Sequence, residues 1–121
     1  MAGADLQQGS IVWAAVSDPN GNVKRRPLVI VTSSSEIILD EPIVASPLTT
    51  SFPSPAPRNY VEVPWDPRGH PSTRLRRRSA VVCDWGPIEL RPSDIESIEG
   101  FVPTKYLTVI LKRISECRQN P

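Results

Sequence analysis

A chain of 121 residues is long enough for one domain with one core, since two cores would leave each half too small to bury sufficient surface. Fourteen prolines, roughly double the usual frequency of about 5%, exclude long uninterrupted helices over most of the length and point to short strands joined by rigid loops. The formal net charge of +1 excludes a body that seeks polyanions with its whole surface, and no run approaches the ~20 apolar residues of a membrane span.

In chain order, residues 1–8 show neither the charged nor the apolar segment of a secretory leader, and Cys83 and Cys117 read as reduced thiols; the expectation is a cytoplasmic protein. Residues 9–16 predict a buried strand, and residues 18–22 a turn whose types suit left-handed backbone. Residues 28–32 return antiparallel, entered through Arg25-Arg26-Pro27. A short strand is expected over 37–39 and a stronger one over 43–48, which empties into Thr49-Thr50-Ser51. Residues 60–63 alternate as a half-buried strand does. Residues 80–83 are apolar enough to lie inside, and 88–90 form a weaker strand. The proline-rich stretches 52–57 and 64–71 cannot pair in a sheet interior and are expected as exposed loops. Residues 93–96 have capping-box spacing, yet 95–102 suit a last strand equally well. Pro103 suits a first-turn position, and Leu107, Ile110, Leu111 and Ile114 recur at helical spacing, which predicts an amphipathic C-terminal helix on the sheet. A mainly β, α+β single domain follows.

The charge is uneven: residues 68–78 carry five arginines and no acid, whereas 36–41 and 94–99 carry acids and no base. A basic loop on a near-neutral body suggests local contact with an anion. Arginine and hydroxyl side chains at the rims of adjacent strands, Arg25 and Arg26 on one and Thr49, Thr50 and Ser51 on the next, make a donor-rich pocket suited to a phosphodiester. Read alone, Thr49 and Thr50 serve equally well as strand-end turn residues, and Asp84 as a turn cap before Trp85. His70 stands alone in a loop, so a two-histidine ribonuclease mechanism is excluded by count. Trp13 is expected in the core, Trp65 on an exposed surface able to stack a base, and Cys83 as a small buried residue.

The order of motifs is informative: Gly9-x-Ile11-Val12-Trp13, Asp18-Pro19, Arg26-Pro27-Leu28-Val29-Ile30-Val31, Pro47-Leu48-Thr49-Thr50-Ser51, Val81-Val82-Cys83-Asp84, and Gly100-Phe101-Val102-Pro103 before a helix. Over residues 9–116 this order resembles the PemK/MazF family of toxin–antitoxin toxins. The resemblance implies one domain over 1–121 with an SH3-like β-barrel and a C-terminal helix, usually a homodimer. Its groove would cleave single-stranded RNA at short sequences without metal or cofactor, and a cognate antitoxin would fill that groove. Carried over by residue, the family's Arg-Pro arginine falls on Arg26, the hydroxyls after the third strand on Thr49 and Thr50, and the aspartate of some members on Asp84. Metal-free cleavage needs the ribose 2′-hydroxyl deprotonated, the phosphorane charge stabilised and the 5′-oxygen protonated. Asp84 suits the first task and Arg26 the second, with Thr49 and Thr50 orienting phosphate oxygens; Ser51, Arg25, Arg76, Arg77 and Arg78 are the expected substrate-binding residues.

Two departures stand out. Val82 occupies the place where the PemK branch has an arginine, and the 18–26 loop is short and lacks a Gly-x-Glu-Gln element. Two other readings use the same barrel. One is a protein-poisoning toxin resembling the gyrase poison CcdB, disfavoured by the polar C-terminus over 115–121; the other is a barrel that binds RNA without cleaving it.

Overall fold

A computed structural model of the chain describes residues 6–17, 20–38, 41–85 and 88–119. Seven strands and one long helix occur in the order β1 (Ser10–Ser17), β2 (Val23–Ile30), β3 (Ile43–Thr49), β4 (Tyr60–Val63), β5 (Ser79–Val82), β6 (Ile88–Leu90), β7 (Ile95–Phe101) and α1 (Thr104–Gln119). Every strand pairing is antiparallel, in the order β4-β5-β3-β2-β1-β7, with β6 on β3. The curled sheet is barrel-like without closing, since β4 and β7 do not pair among the described residues. No helix among the described residues is long and apolar enough to cross a membrane.

The centre of the sheet, at residues 28–30, 45–48 and 79–82, is buried on both faces, which explains why those segments read as apolar runs rather than as strict alternations. One face gathers Val12, Ala14, Leu28, Ile30, Ile43 and Ala45. The other gathers Ile11, Val29, Leu48, Val61 and Val81 beneath Ile110 and Ile114 of α1. The helix begins where Pro103, whose carbonyl accepts from the amides of Tyr106 and Leu107 at 3.0 Å, ends the extended chain. Arg113 then ties it to the loop before β4 by donating to the Arg58 carbonyl.

Several expectations need correction. β2 starts at Val23 rather than Leu28, so Arg25, Arg26 and Pro27 lie inside the strand. Proline is tolerated there because pairing with β3 begins only at Leu28, leaving the edge beside Pro27 without a strand partner. The short strand over 37–39 does not form: Ser34–Glu36 is a 3-10 turn, and Ile37 packs on the core without a strand partner, while Leu39 lies outside the described residues. Asp18 and Pro19 of the first turn also lie outside them. Both readings of 93–102 hold in part, since Pro92–Asp94 forms a 3-10 turn and β7 follows at once. The carboxylate that caps the turn is Asp94, accepting from the Arg91 amide at 2.9 Å.

Candidate nucleic-acid interface

The site arises where β3 leaves β2. Leu28 faces Pro47, and continuing that register by two residues would set Arg26 opposite Thr49. Leu48 and Thr49 instead pair with Val81 and Ala80 of β5. The splay opens a groove of about 510 Å³ lined by Arg26 and Pro27 on one side and by Leu48, Thr49 and Thr50 on the other. Ile11 and Trp13, two residues apart and so on one face of β1, also reach it.

The third wall is the 64–78 loop, which contributes Arg74, Arg76 and Arg77. Its order comes from its own hydrogen bonds. The Leu75 carbonyl accepts from the amides of Asp66 and His70, and His70 Nδ1 accepts from those of Ser72 and Thr73 at 3.1 and 3.3 Å. Fully buried Thr73 donates to the Pro64 carbonyl at 2.8 Å. His70 is thus a loop-building residue and is not among the groove lining.

Among the described residues Arg26 is held by packing rather than by ion pairing. Its Nε is buried with no hydrogen-bond partner among the described residues, and its guanidinium lies 5.1 Å from the Trp85 ring centroid. A buried donor without an acceptor is costly, so packing must hold Arg26 in place, and the guanidinium type of this groove residue matches an anionic ligand. Thr49 Oγ1 accepts from the Ser51 amide at 3.1 Å, fixing the turn that carries Thr50.

The other expected site residues stand outside the lining. Arg25 binds Glu96 at 2.7 Å and stacks 4.4 Å from the Trp13 centroid. Arg78 joins Glu62 at 2.6 Å and the carbonyls of Phe52 and Pro53, which fastens the proline loop to β5. Ser51 serves the turn. Asp84 is exposed on the bend after β5, next to the Trp85 that Arg26 covers. Val82 is buried in β5. Trp65 is exposed as expected, whereas Trp13 lines the groove rather than filling the core. Trp13, Arg74 and Glu99 are groove residues that the sequence reading did not assign to the site.

The antiparallel sheet of seven strands with its C-terminal helix is the fold of solved MazF toxins, as comparison shows. Among solved structures the chain is similar to a MazE–MazF complex from Deinococcus radiodurans, with TM-score 0.70 and 15% identity over 96% of this chain and 97% of that one. It is also similar to the Mycobacterium tuberculosis toxin MazF-mt6, with TM-score 0.69 and 19% identity over 91% and 96% of the two chains. A mycobacterial endoribonuclease solved with its cognate antitoxin matches with TM-score 0.69 and 16% identity over 96% and 97%. No protein-family model matches the chain, and no curated protein does.

Proposed function

We propose that the chain is the toxin of a toxin–antitoxin pair: a metal-independent, sequence-specific endoribonuclease that acts on single-stranded RNA in the cytoplasm. The observation that supports this reading is the groove itself, whose lining gathers Arg26, Thr49, Thr50 and three loop arginines. In the reaction the ribose 2′-oxygen attacks phosphorus and the P–O5′ bond breaks. The 2′-hydroxyl proton passes to the Asp84 carboxylate, and the departing 5′-oxygen takes a proton from solvent. Arg26 stabilises the phosphorane, a safer role than proton donation for a guanidinium that stays protonated. Thr49 and Thr50 orient the non-bridging oxygens, and Arg76 and Arg77 hold the flanking phosphates. Arg25 and Ser51 act on the substrate site through the Trp13 stack and the Thr49 turn, and Arg78 through the loop it fastens. The partners are an antitoxin that covers the groove, as the antitoxin-bound neighbours suggest, and a second copy in a homodimer.

The test is cleavage of a long unstructured RNA in excess EDTA with mass analysis of the ends. Fragments ending in 2′,3′-cyclic phosphate and 5′-hydroxyl at recurrent short sequences are expected. Arg26→Ala should lower kcat by about 10²- to 10³-fold, and unchanged cleavage by that variant would sink the assignment. A second reading, a barrel that binds RNA without cutting it, is favoured by buried Val82 in place of a cation. Saturable RNA binding with no product would identify it.

A further inference from the structure

The groove holds a carboxylate that this chemistry does not use. β7 follows β1 through two shifts of register. Ile11 faces Gly100 but Val12 faces Ile98, leaving Glu99 over; Trp13 faces Ser97 but Ala14 faces Ile95, leaving Glu96 over. A bulge frees its extra residue from the regular alternation and re-aims its side chain. The two freed carboxylates meet different partners. Glu96 is bound by Arg25 at 2.7 Å. Glu99 forms no ion pair among the described residues, accepts from the Ser97 hydroxyl at 3.3 Å and lines the groove with Trp13 and Arg26.

A fixed negative charge among guanidinia weakens their hold on phosphates unless it meets donors on the ligand. In RNA the donors it can meet are base edges. Guanine alone presents two adjacent donors, N1–H and the N2 amine, matching the two oxygens of a carboxylate; adenine, cytosine and uracil set an acceptor beside each donor. Trp13, carrying the Arg25 guanidinium on its ring, supplies the aromatic and cationic surface on which an unstacked base lies. We infer that Trp13 and Glu99 form a base-reading subsite that selects guanine at a nucleotide adjacent to the scissile phosphate. The inference rests on the reading of the groove as an RNA site.

The experiment maps cleavage ends on a long RNA, then compares short RNAs in which the mapped guanine is kept or replaced by inosine or adenine. Wild-type protein should require guanine at one fixed position. Its kcat/KM should fall by about 10- to 100-fold for adenine, with inosine, which lacks the N2 amine, between them. Glu99→Gln should melt like wild type and bring guanine and adenine within about threefold of each other. Three results would overturn the inference: no guanine requirement in wild type, a requirement that survives Glu99→Gln, or an equal loss on every RNA. Intact RNA with the wild-type protein would remove the nuclease reading instead. The same series read by equilibrium binding then still decides the subsite, since a guanine preference that Glu99→Gln abolishes supports it and equal affinities refute it.

Discussion

Arg74 combines backbone strain with a placed charge. Its φ of +65° is left-handed, a conformation that costs an L-residue roughly 1–2 kcal/mol. The bond from its amide to the His70 carbonyl, 2.9 Å, helps hold it there, and its side chain reaches the groove. Glycine would fit that backbone better, so the arginine is explained by the positive charge it brings to the groove. Arg74→Gly should therefore raise unfolding stability by about 0.5–1 kcal/mol in urea while weakening RNA binding several-fold; a lower stability would contradict the argument. Cys83 illustrates a residue with no part in the site. Burial, with smaller contributions from Cys117 and Asp84, pushes its thiol up from 9.0 to about 12. The unfolded thiol loses its proton near pH 9 while the folded one keeps it, so the native state binds more protons between those values and stability falls as pH rises through them. Below pH 9 this contribution is constant. A melting-temperature profile should decline above pH 9 more steeply in wild type than in Cys83→Ala, and parallel profiles would remove Cys83 as the cause.

At the scale of elements, the groove depends on how closely the 64–78 loop lies on β7. The Phe101 amide donates to the Ser72 carbonyl at 2.9 Å, and a Cβ at Gly100 would come within 2.5 Å of that carbonyl oxygen and 2.6 Å of the Thr73 oxygen. Backbone cannot yield as a flexible side chain does, so Gly100→Ala must lift the loop that carries the arginines. We expect a loss of about 1–3 kcal/mol in stability and a raised KM for RNA, with kcat less affected because Arg26 and Thr49 stand on strands. Faster amide exchange confined to the loop would support this, and an unchanged KM would refute it. The same scale shows what the sequence made legible. β1, β3, β4, β5, β6 and α1 were readable because their burial follows from apolar runs or helical spacing in a local window. The charged first half of β2 was not, since whether Pro27 breaks a strand depends on whether a neighbour needs its amide. Arg26, Thr49 and Thr50 were legible as groove residues by type, although Arg26 lies within β2 rather than at its rim, whereas Glu99 and Trp13 were hidden. A bulge is a relation between two strands, and a groove wall a relation among four elements, so neither leaves a periodic trace in one segment.

For the whole molecule, a net charge of +1 means that any strong attraction to RNA is local. The groove lining brings together Arg26, Arg74, Arg76 and Arg77, whereas Arg25 and Arg78 are committed to Glu96 and Glu62. Counterion release ties each phosphate neutralised on a single strand to a slope of about −0.7 in log K against log salt concentration. Four engaged guanidinia therefore predict a slope of roughly −3 for a 2′-O-methyl RNA that cannot be cleaved. Replacing Arg74, Arg76 and Arg77 by glutamine leaves Arg26 as the one arginine of the lining, and the slope should flatten to about −0.7. Fluorescence anisotropy at salt concentrations from about 50 to 300 mM measures both slopes. If the triple variant kept the wild-type slope, phosphates would be held elsewhere on the surface and the splay between β2 and β3 would not be the RNA groove. A flattened slope with cleavage retained at low salt would separate the two functions of the lining: the loop arginines gather the strand, and the strand-borne Arg26 acts on the phosphate that reaches it.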